Sequence, residues 1–315
     1  MSSSGGHFRR RGAAVASTPL TLIEFALMKQ AIFMIACITS LAAAPIDQKG
    51  VEFARPDGHP LLLDLHIPDG AGPFPVAILV HGGGFDGGTR GTNMAPTFQP
   101  LADAGFAWLS IDYRMAPEFR FPQAREDMDS AIKWVKANSK TYKVDASKIV
   151  LSGESAGGYL VNYAAAHETA QTQVAAIVDF YGPTDYERIA RQRKDYPARF
   201  NMASISGHQA KGGGIWFFQV EGYDDASFAK LREISPIHAI HRGMPPFLEI
   251  HGTRDDQVPY EQSTMMCDAL HKVGAVCDLI TVEAGGHGMG GWKDADQQHY
   301  KADMIVWLKR TLKLN

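Results

Sequence analysis

The stretch KIVLSGESAGGYLVNY, residues 148–163, joins an apolar run to a helical pattern through a serine set between glycines. Gly153 lies two places before Ser155 and Gly157 two places after it, which is the G-x-S-x-G pattern of a nucleophile elbow. In such an elbow a strand ends at the serine, a helix begins after it, and glycines permit close approach of neighbouring backbones. The pattern predicts that Ser155 is a nucleophile if the chain also supplies a base, an acid and oxyanion donors.

Apolar strands and amphipathic helices alternate along the chain on both sides of this elbow. Four continuous apolar runs are typical of strands buried on both faces: FPVAILV (74–80), FAWLSI (106–111), QVAAIVDF (173–180) and PPFLEI (245–250). An earlier stretch, residues 51–70, is typical of a hairpin with a turn near Asp57-Gly58. The alternation predicts an α/β fold with a mostly parallel central sheet and helices on both of its faces.

Residues from about 185 to 235 interrupt this alternation with mixed charges, glycines and aromatic side chains. We interpret this segment as an insertion over the carboxyl edge of the sheet that acts as a lid. The alternative is a helix with connecting loops that belongs to the core of the domain.

The first 44 residues differ from the rest and predict an N-terminal extension with a signal peptide that begins at Met28. Lys29 is followed by an apolar stretch at 31–41 and by small residues at 42–44, which is the order found in secretory leaders. The apolar stretch is too short to span a bilayer, so we expect a secreted or periplasmic protein with no membrane segment in its mature form. The alternative is a disordered or helical extension. Residues 45–315 are then expected to form a single catalytic domain.

Composition and cysteine content agree with an exported globular protein. The 315 residues carry a net charge of −3 with 45% hydrophobic residues, so no electrostatic argument favours nucleic acid as a partner. Removal of the leader would remove Cys37 and leave Cys267 and Cys277, ten residues apart. These two form either a disulfide, which an oxidising compartment allows, or two unrelated buried thiols.

A serine hydroxyl reacts only if a base takes its proton, and the best-placed histidine is His287 in the glycine-rich stretch EAGGHGMGG. The base needs an acid to orient it, and the stretch HGTRDDQVP offers Asp255 and Asp256 after another strand. The spacing favours Asp255, and Asp112, which precedes the serine, fits worse. The chain order Ser155, Asp255, His287 is the order expected when a nucleophile elbow stands on an α/β sheet.

The glycine run in HGGGF, residues 81–85, follows an earlier strand, where donors to an oxyanion arise in this architecture. We assign Gly83 and Gly84, with the N–H of Ala156 at the start of the helix, to an oxyanion hole. Phosphate binding is the rival use of a glycine loop. It is disfavoured because no Lys-Ser/Thr follows the glycines and no G-x-G-x-x-G pattern precedes a helix.

Together these motifs resemble the α/β-hydrolase superfamily over roughly residues 50 to 313. HGGGF, the stretch DYRMAPEFRFPQAREDMDSAIKWV and GESAGG are similar to the HGGG carboxylesterases related to hormone-sensitive lipase. The D-P-L-x-D/E acid motif of that branch is absent. HGTRDDQVPYEQS and GGHGMGGW resemble instead the bacterial acetyl-xylan and feruloyl esterase-like branch, whose acid motif is shared with prolyl oligopeptidases.

The resemblance implies a serine carboxylesterase that forms an acyl-enzyme without a metal or a cofactor. It implies short acyl or aryl esters, including acetyl or feruloyl groups on plant polysaccharide, as small-molecule or polysaccharide-linked substrates. Phe85, Trp216 and Trp292 are candidates for substrate binding, with ordinary packing as the alternative for the tryptophans. Two other functions stay open: a serine peptidase or amidase of the oligopeptidase-like branch, and a non-catalytic binding protein on a hydrolase fold.

Overall fold

The computed structural model describes residues 44–195, 216–220 and 224–314. The predicted signal peptide and, within the predicted lid, residues 196–215 and 221–223 therefore lie outside the described residues. Within these ranges, no helix is long and apolar enough to cross a membrane.

Eight strands among the described residues form one sheet with the order β1-β2-β4-β3-β5-β6-β7-β8. β1 is antiparallel to β2 and β2 is antiparallel to β4, whereas all the other neighbours run parallel. The predicted mostly parallel sheet is thus confirmed. The strands are β1 Ile46–Ala54, β2 Leu61–Ile67, β3 Phe74–Val80, β4 Ala107–Ile111, β5 Val144–Glu154, β6 Ala176–Phe180, β7 Phe247–Gly252 and β8 Cys277–Val282.

Seven α-helices accompany these strands in the described part of the chain. They are α1 Ala95–Asp103, α2 Gln123–Asn138, α3 Ala156–Ala166, α4 Tyr186–Asp195, α5 Asp225–Glu233, α6 Glu261–Lys272 and α7 Asp294–Thr311. One core layer joins the sheet to α2, α3 and α6, and a second joins it to α1 and α7. Helices on both faces leave the parallel strands fully buried, which explains their continuous apolar sequences.

The predicted hairpin is confirmed and forms the antiparallel edge of the sheet. β1 and β2 are joined by a short 3-10 turn at Pro56–Gly58, in which Asp57 has a φ of 50° and Gly58 a φ of 80°. β2 alternates buried and partly exposed side chains along its whole length. This period of two places Leu61, Leu63, Leu65 and Ile67 in the core and leaves Leu62 partly exposed, as the sequence predicts for a half-buried strand.

The described parts of the segment from 185 to 235 are helix α4, a 3-10 turn at Trp216–Phe218 and helix α5. Tyr186, Phe217 and Phe218 are almost completely buried and belong to the core layer that contains α3. Tyr159 of α3 donates a hydrogen bond to the carbonyl oxygen of Ile234 at 2.9 Å. These parts therefore pack as core, which is the alternative that the sequence left open for this segment.

A disulfide joins Cys267 on α6 to Cys277, the first residue of β8. This settles the choice between a disulfide and two unrelated thiols. Both cysteines are buried, and Cys277 lies at the end of β8 opposite the loop that carries His287.

We expect loss of this disulfide to lower the free energy of unfolding by about 3 kcal/mol, because it closes a loop of roughly ten residues in the unfolded chain. Urea unfolding of wild type, with and without reductant, and of a Cys267→Ala/Cys277→Ala variant measures the effect. The reduced wild type and the double variant should match, with turnover unchanged. Equal stability of the oxidised and reduced wild type would contradict the prediction.

Candidate active site

Ser155 stands at the junction where β5 ends and α3 begins. Its φ of 52° lies in the left-handed region, which is uncommon for a residue other than glycine and is typical of functional turns. A Cβ on Gly153 would overlap the carbonyl of Gly157, and a Cβ on Gly157 would overlap the carbonyl of Val80. The two glycines of the motif are therefore required by close backbone packing around the serine.

Three side chains from separate strand ends meet at this junction. His287 Nε2 lies 2.9 Å from Ser155 Oγ, and His287 Nδ1 lies 2.7 Å from Asp255 Oδ2. The Asp255 side chain is fully buried and that of His287 is 11% exposed. The structure thus brings the predicted nucleophile, base and acid into one hydrogen-bonded chain, whereas Asp256 is exposed.

The Asp255 carboxylate accepts hydrogen bonds at both of its oxygens. Its Oδ1 accepts hydrogen bonds from the backbone N–H groups of Gln257 at 2.9 Å and Val258 at 2.8 Å. Burial by itself would raise the pKa of Asp255, but hydrogen bonds from His251 and His287 outweigh it and hold the pKa well below the usual range. Asp255 is therefore a carboxylate at neutral pH.

The glycine loop after β3 is tied directly to the elbow by Glu154, the residue before the serine. Glu154 Oε1 accepts hydrogen bonds from the N–H of Gly82 at 2.7 Å and from Asn93 Nδ2 at 2.8 Å. Gly83 and Gly84 have φ values of 105° and 64°. These conformations favour glycine and allow backbone N–H groups to turn toward the elbow.

Ala156 is the first residue of α3, where backbone N–H groups have no partner within the helix. The three predicted oxyanion donors, Gly83, Gly84 and Ala156, thus belong to two segments that Glu154 joins. The role of Glu154 is not encoded in any motif that we used, since the residue before the serine is variable in G-x-S-x-G.

The aromatic residues predicted to bind substrate have packing roles in the described structure. The Phe85 ring is completely buried and stacks on Phe217 with a centroid distance of 4.0 Å. Trp292 is 4% exposed, and its Nε1 donates to the carbonyl oxygen of Gly286 at 2.8 Å, beside the base. Neither ring therefore offers an open face to a substrate. The Trp216 side chain lies outside the described residues.

A second histidine contacts the acid, and the sequence analysis gave it no role. His251 Nε2 lies 3.3 Å from Asp255 Oδ2 and 3.0 Å from the carbonyl oxygen of Val258. His251 Nδ1 lies 2.8 Å from Ser263 Oγ, and the Ser263 hydroxyl donates to Glu249 Oε2 at 2.8 Å. A buried polar chain therefore leads away from the acid into the sheet.

This series of hydrogen bonds ends at a pair of buried carboxyl groups. Glu249 on β7 and Asp179 on β6 are directly paired in the parallel sheet, and both are completely buried. Asp179 also accepts from Asn162 Nδ2 at 2.6 Å and from the N–H of Gly182 at 2.9 Å. One acidic residue in the middle of each of two neighbouring apolar strands was the available signal for this pair.

Burial raises the pKa of both carboxyl groups in this pair. For Glu249 the neighbouring negative charge of Asp179 raises the pKa further, far above the ordinary value. Two directly paired, buried carboxyl groups repel when both are ionised, so we expect the pair to keep one proton at neutral pH, carried by Glu249. Among the described residues, no group of three or more His, Cys, Asp and Glu side chains is arranged to hold a metal ion.

The proton on Glu249 determines whether the free energy of unfolding rises or falls with pH. The unfolded chain releases a glutamate proton above about pH 4.3, whereas the folded pair keeps it, so the free energy of unfolding decreases as pH rises. Glu249→Gln removes that penalty. We expect its stability relative to wild type to increase by roughly 3 kcal/mol between about pH 5 and about pH 8.

Urea unfolding at several pH values measures this difference. Glu118→Gln, which removes an exposed carboxyl group, is the matched control and should show no such trend. A Glu249→Gln variant whose stability relative to wild type is independent of pH would show that Glu249 is ionised in the folded protein.

Comparison with known proteins places these features in a family. The BD-FAE family model matches residues 63–270, which contain the glycine loop, the elbow and Asp255. The chain is 32% identical to esterase LipC of Mycobacterium tuberculosis over 228 residues, which cover 69% of this chain and 53% of that protein. The chain spans about half the length of the curated relatives it matches.

Solved structures show the same architecture. A truncated carbohydrate esterase from gut microbiota superposes with a TM-score of 0.67 at 24% identity, covering 85% of this chain and 96% of that chain. A bifunctional GH43-CE protein of Bacteroides eggerthii superposes with a TM-score of 0.68 at 25% identity. The match covers 86% of this chain and 38% of that chain. The α/β-hydrolase fold expected from the sequence resemblance is thereby confirmed.

Proposed function

Because the chain belongs to the BD-FAE family, we propose that it is a serine carboxylic ester hydrolase that forms an acyl-enzyme on Ser155. The observation that carries the proposal is the position of the His287 imidazole. Its Nε2 is 2.9 Å from the Ser155 hydroxyl and its Nδ1 is 2.7 Å from Asp255. A neutral imidazole held in this way accepts a proton at Nε2 and donates one at Nδ1, as a general base requires.

In the first half of the reaction, the Ser155 proton moves to His287 Nε2 while Oγ forms a bond to the ester carbonyl carbon. The carbonyl oxygen becomes an oxyanion, which accepts hydrogen bonds from the backbone N–H groups of Gly83, Gly84 and Ala156. The tetrahedral intermediate then expels the alcohol oxygen, which takes the proton from Nε2. The ester bond is broken and the acyl group stays on Ser155.

In the second half, water gives a proton to His287 Nε2 and its oxygen attacks the acyl carbon. The same N–H groups hold the second oxyanion. Collapse of this intermediate returns the proton from Nε2 to Ser155 Oγ and releases the carboxylic acid. Asp255 remains ionised throughout and stabilises the imidazolium that forms in each half.

The substrates we propose are esters of short acyl groups, with acetyl and feruloyl esters of polysaccharide as the natural class. Family membership supports this class, as does the likeness to the bifunctional GH43-CE protein at 25% identity. The packing beside the glycine loop supports a short acyl group. Phe85, directly after Gly84, packs its ring on Phe217 and Phe218, and all three side chains are almost completely buried.

An acyl-length series tests the function and the substrate class together. We expect kcat/KM for p-nitrophenyl acetate to exceed that for the octanoate at least about tenfold, in line with a pocket that rejects added methylenes. Acetylated xylan and methyl ferulate should release acetate and ferulate. A preference for octanoate would refute the short-acyl proposal.

Two further measurements separate the alternatives. Faster hydrolysis of p-nitroacetanilide than of the acetate ester would favour an amidase. A fluorophosphonate probe should label Ser155, located by mass spectrometry of the digested protein. Absence of labelling together with absence of turnover would indicate a binding protein.

We propose in addition that the chain is exported and that its leader is cleaved after about Ala42. The disulfide supports this, because such bonds persist in oxidising compartments. N-terminal sequencing of the protein recovered from the medium or periplasm of an expressing bacterium tests the proposal. A full-length chain retained in the cytoplasm would contradict it.

A further inference from the structure

Two imidazole rings approach the same oxygen of the proposed catalytic acid. His287 Nδ1 and His251 Nε2 lie 2.7 and 3.3 Å from Asp255 Oδ2. The His251 side chain is completely buried, and both of its ring nitrogens have polar partners. An apolar ring could fill the same space, so the polar partners of His251 point to an electrostatic role.

The partners of Nε2 decide its protonation. Nε2 faces the carbonyl oxygen of Val258 at 3.0 Å and the carboxylate of Asp255 at 3.3 Å. Neither group can donate a hydrogen bond, since Asp255 is ionised. Nε2 therefore carries a proton and donates it toward both oxygens.

The protonation of His251 Nδ1 depends on the direction of the next hydrogen bond, between Ser263 and Glu249. Ser263 has a single hydroxyl proton, and it is donated to Glu249 Oε2 at 2.8 Å. The Ser263 oxygen is then an acceptor toward His251 Nδ1 at 2.8 Å. Nδ1 therefore carries a proton as well.

The Glu249–Asp179 pair determines the donor and acceptor in each hydrogen bond from His251 through Ser263 to Glu249. Among the described residues, no donor reaches the buried Glu249 Oε1. Asp179, paired directly with Glu249 in the sheet, already accepts from Asn162 and Gly182, and we infer that the Glu249 proton is on Oε1 and is directed to this carboxylate. A proton at that position leaves Oε2 free to accept from Ser263, as observed. The raised pKa of Glu249 agrees with this arrangement.

We propose that His251 is a doubly protonated positioning residue. Its positive charge interacts with the same Asp255 carboxylate as His287, so the two imidazoles share this carboxylate. The proposal rests on the catalytic role proposed for Asp255 and His287. In the buried site, Asp255 and Asp179 are negative, His251 is positive and Glu249 is neutral. The positive charge of His251 thus offsets one of the two buried negative charges, which lowers the cost of burying them.

The consequence concerns the pH range of catalysis. A carboxylate shared with His251 attracts a second positive charge on His287 less strongly than an unshared carboxylate would. His287 then stays neutral, and able to act as a base, to lower pH. His251 in this way extends activity toward acid conditions.

His251→Gln tests this inference, because the glutamine amide can donate one hydrogen bond to Asp255 but carries no charge. We expect the acid limb of the kcat/KM profile for p-nitrophenyl acetate to move upward by about one pH unit, the size expected of one neighbouring charge. A merely structural defect would lower the plateau without moving the limb. An unmoved limb would overturn the proposal.

Other groups near His251 must be held constant in this measurement. Tyr181 and Tyr260 pack their rings on His251, and Asp255 and the Asp179–Glu249 pair complete the charged surroundings. The same substitution is therefore also made in the Glu249→Gln background, where the pair has lost its titrating glutamate. The upward shift should persist there.

The matched control is His299→Gln, which removes an exposed histidine 3.1 Å from Asp303 on α7 and should leave the profile unchanged. A second measurement needs no activity. In ¹⁵N-labelled Ser155→Ala protein, both ring nitrogens of His251 should carry protons at neutral pH, and a bare ring nitrogen would overturn the proposal. This spectrum decides the inference even if His251→Gln fails to fold. If wild type hydrolyses no ester, the proposed function fails and with it the effect on catalysis, whereas the spectrum still decides whether His251 is doubly protonated.

Discussion

Replacing Ser155 with alanine is expected to lower kcat for p-nitrophenyl acetate by roughly 10⁴–10⁶-fold, the loss typical of a removed serine nucleophile. The variant keeps the imidazole and the oxyanion donors but has no atom to accept the acyl group. Initial rates of nitrophenolate release at saturating substrate measure the effect. The unfolding midpoint should stay close to that of wild type, because the hydroxyl at position 155 is partly exposed and contributes little packing.

Ser152 supplies the matched control for this experiment. It lies three residues earlier on the same strand, and its buried hydroxyl has no hydrogen-bond partner within the described part of the chain. Ser152→Ala should therefore leave kcat within about twofold. Retained turnover in Ser155→Ala, or an equal loss in Ser152→Ala, would remove Ser155 from the mechanism.

Replacing Asp255 with asparagine is expected to lower kcat by about 10³–10⁴-fold while the fold is kept. The two backbone N–H groups of Gln257 and Val258 require an acceptor at the Oδ1 position, so the amide oxygen must lie there. The amide nitrogen then replaces Oδ2 and presents N–H groups to His287 Nδ1. The ring is forced into the tautomer with its proton on Nε2, which cannot accept the Ser155 proton.

Asp256→Asn is the control, because Asp256 is the exposed neighbour in the same loop. It should leave kcat within about twofold. Comparable losses in both variants would mean that loop disturbance, and not the tautomer of His287, limits turnover. A large loss in Asp256→Asn alone would move the acid to that position.

Much of the fold followed from local patterns. The continuous apolar runs predicted the parallel strands because burial on both faces removes polar positions from such strands. The positions of Ser155, Asp255 and His287 at strand ends were also predictable, since carboxyl ends of parallel strands meet at one edge. Their contacts agree with this placement, and their chemical roles stay predictions until the variants are measured.

Other features depend on long-range packing that no local pattern contains. Phe85 follows three glycines and was expected to face a substrate, but its φ of 69° turns the ring inward against Phe217. The contact from His251 through Ser263 to Glu249 depends on how α6 packs on β7. The pairing of Glu249 with Asp179 depends on the register of two strands separated by almost seventy residues.

The hydrogen bond from Gly82 to Glu154 joins the proposed nucleophile and the loop of proposed oxyanion donors into one body. Their mutual alignment is completed when the chain folds, so no reorganisation of the two is needed when an ester arrives. Natural variation in acyl preference within this scaffold must therefore arise outside that body. Phe217, which stacks on Phe85 at the end of the glycine loop, is the kind of position where such variation can begin.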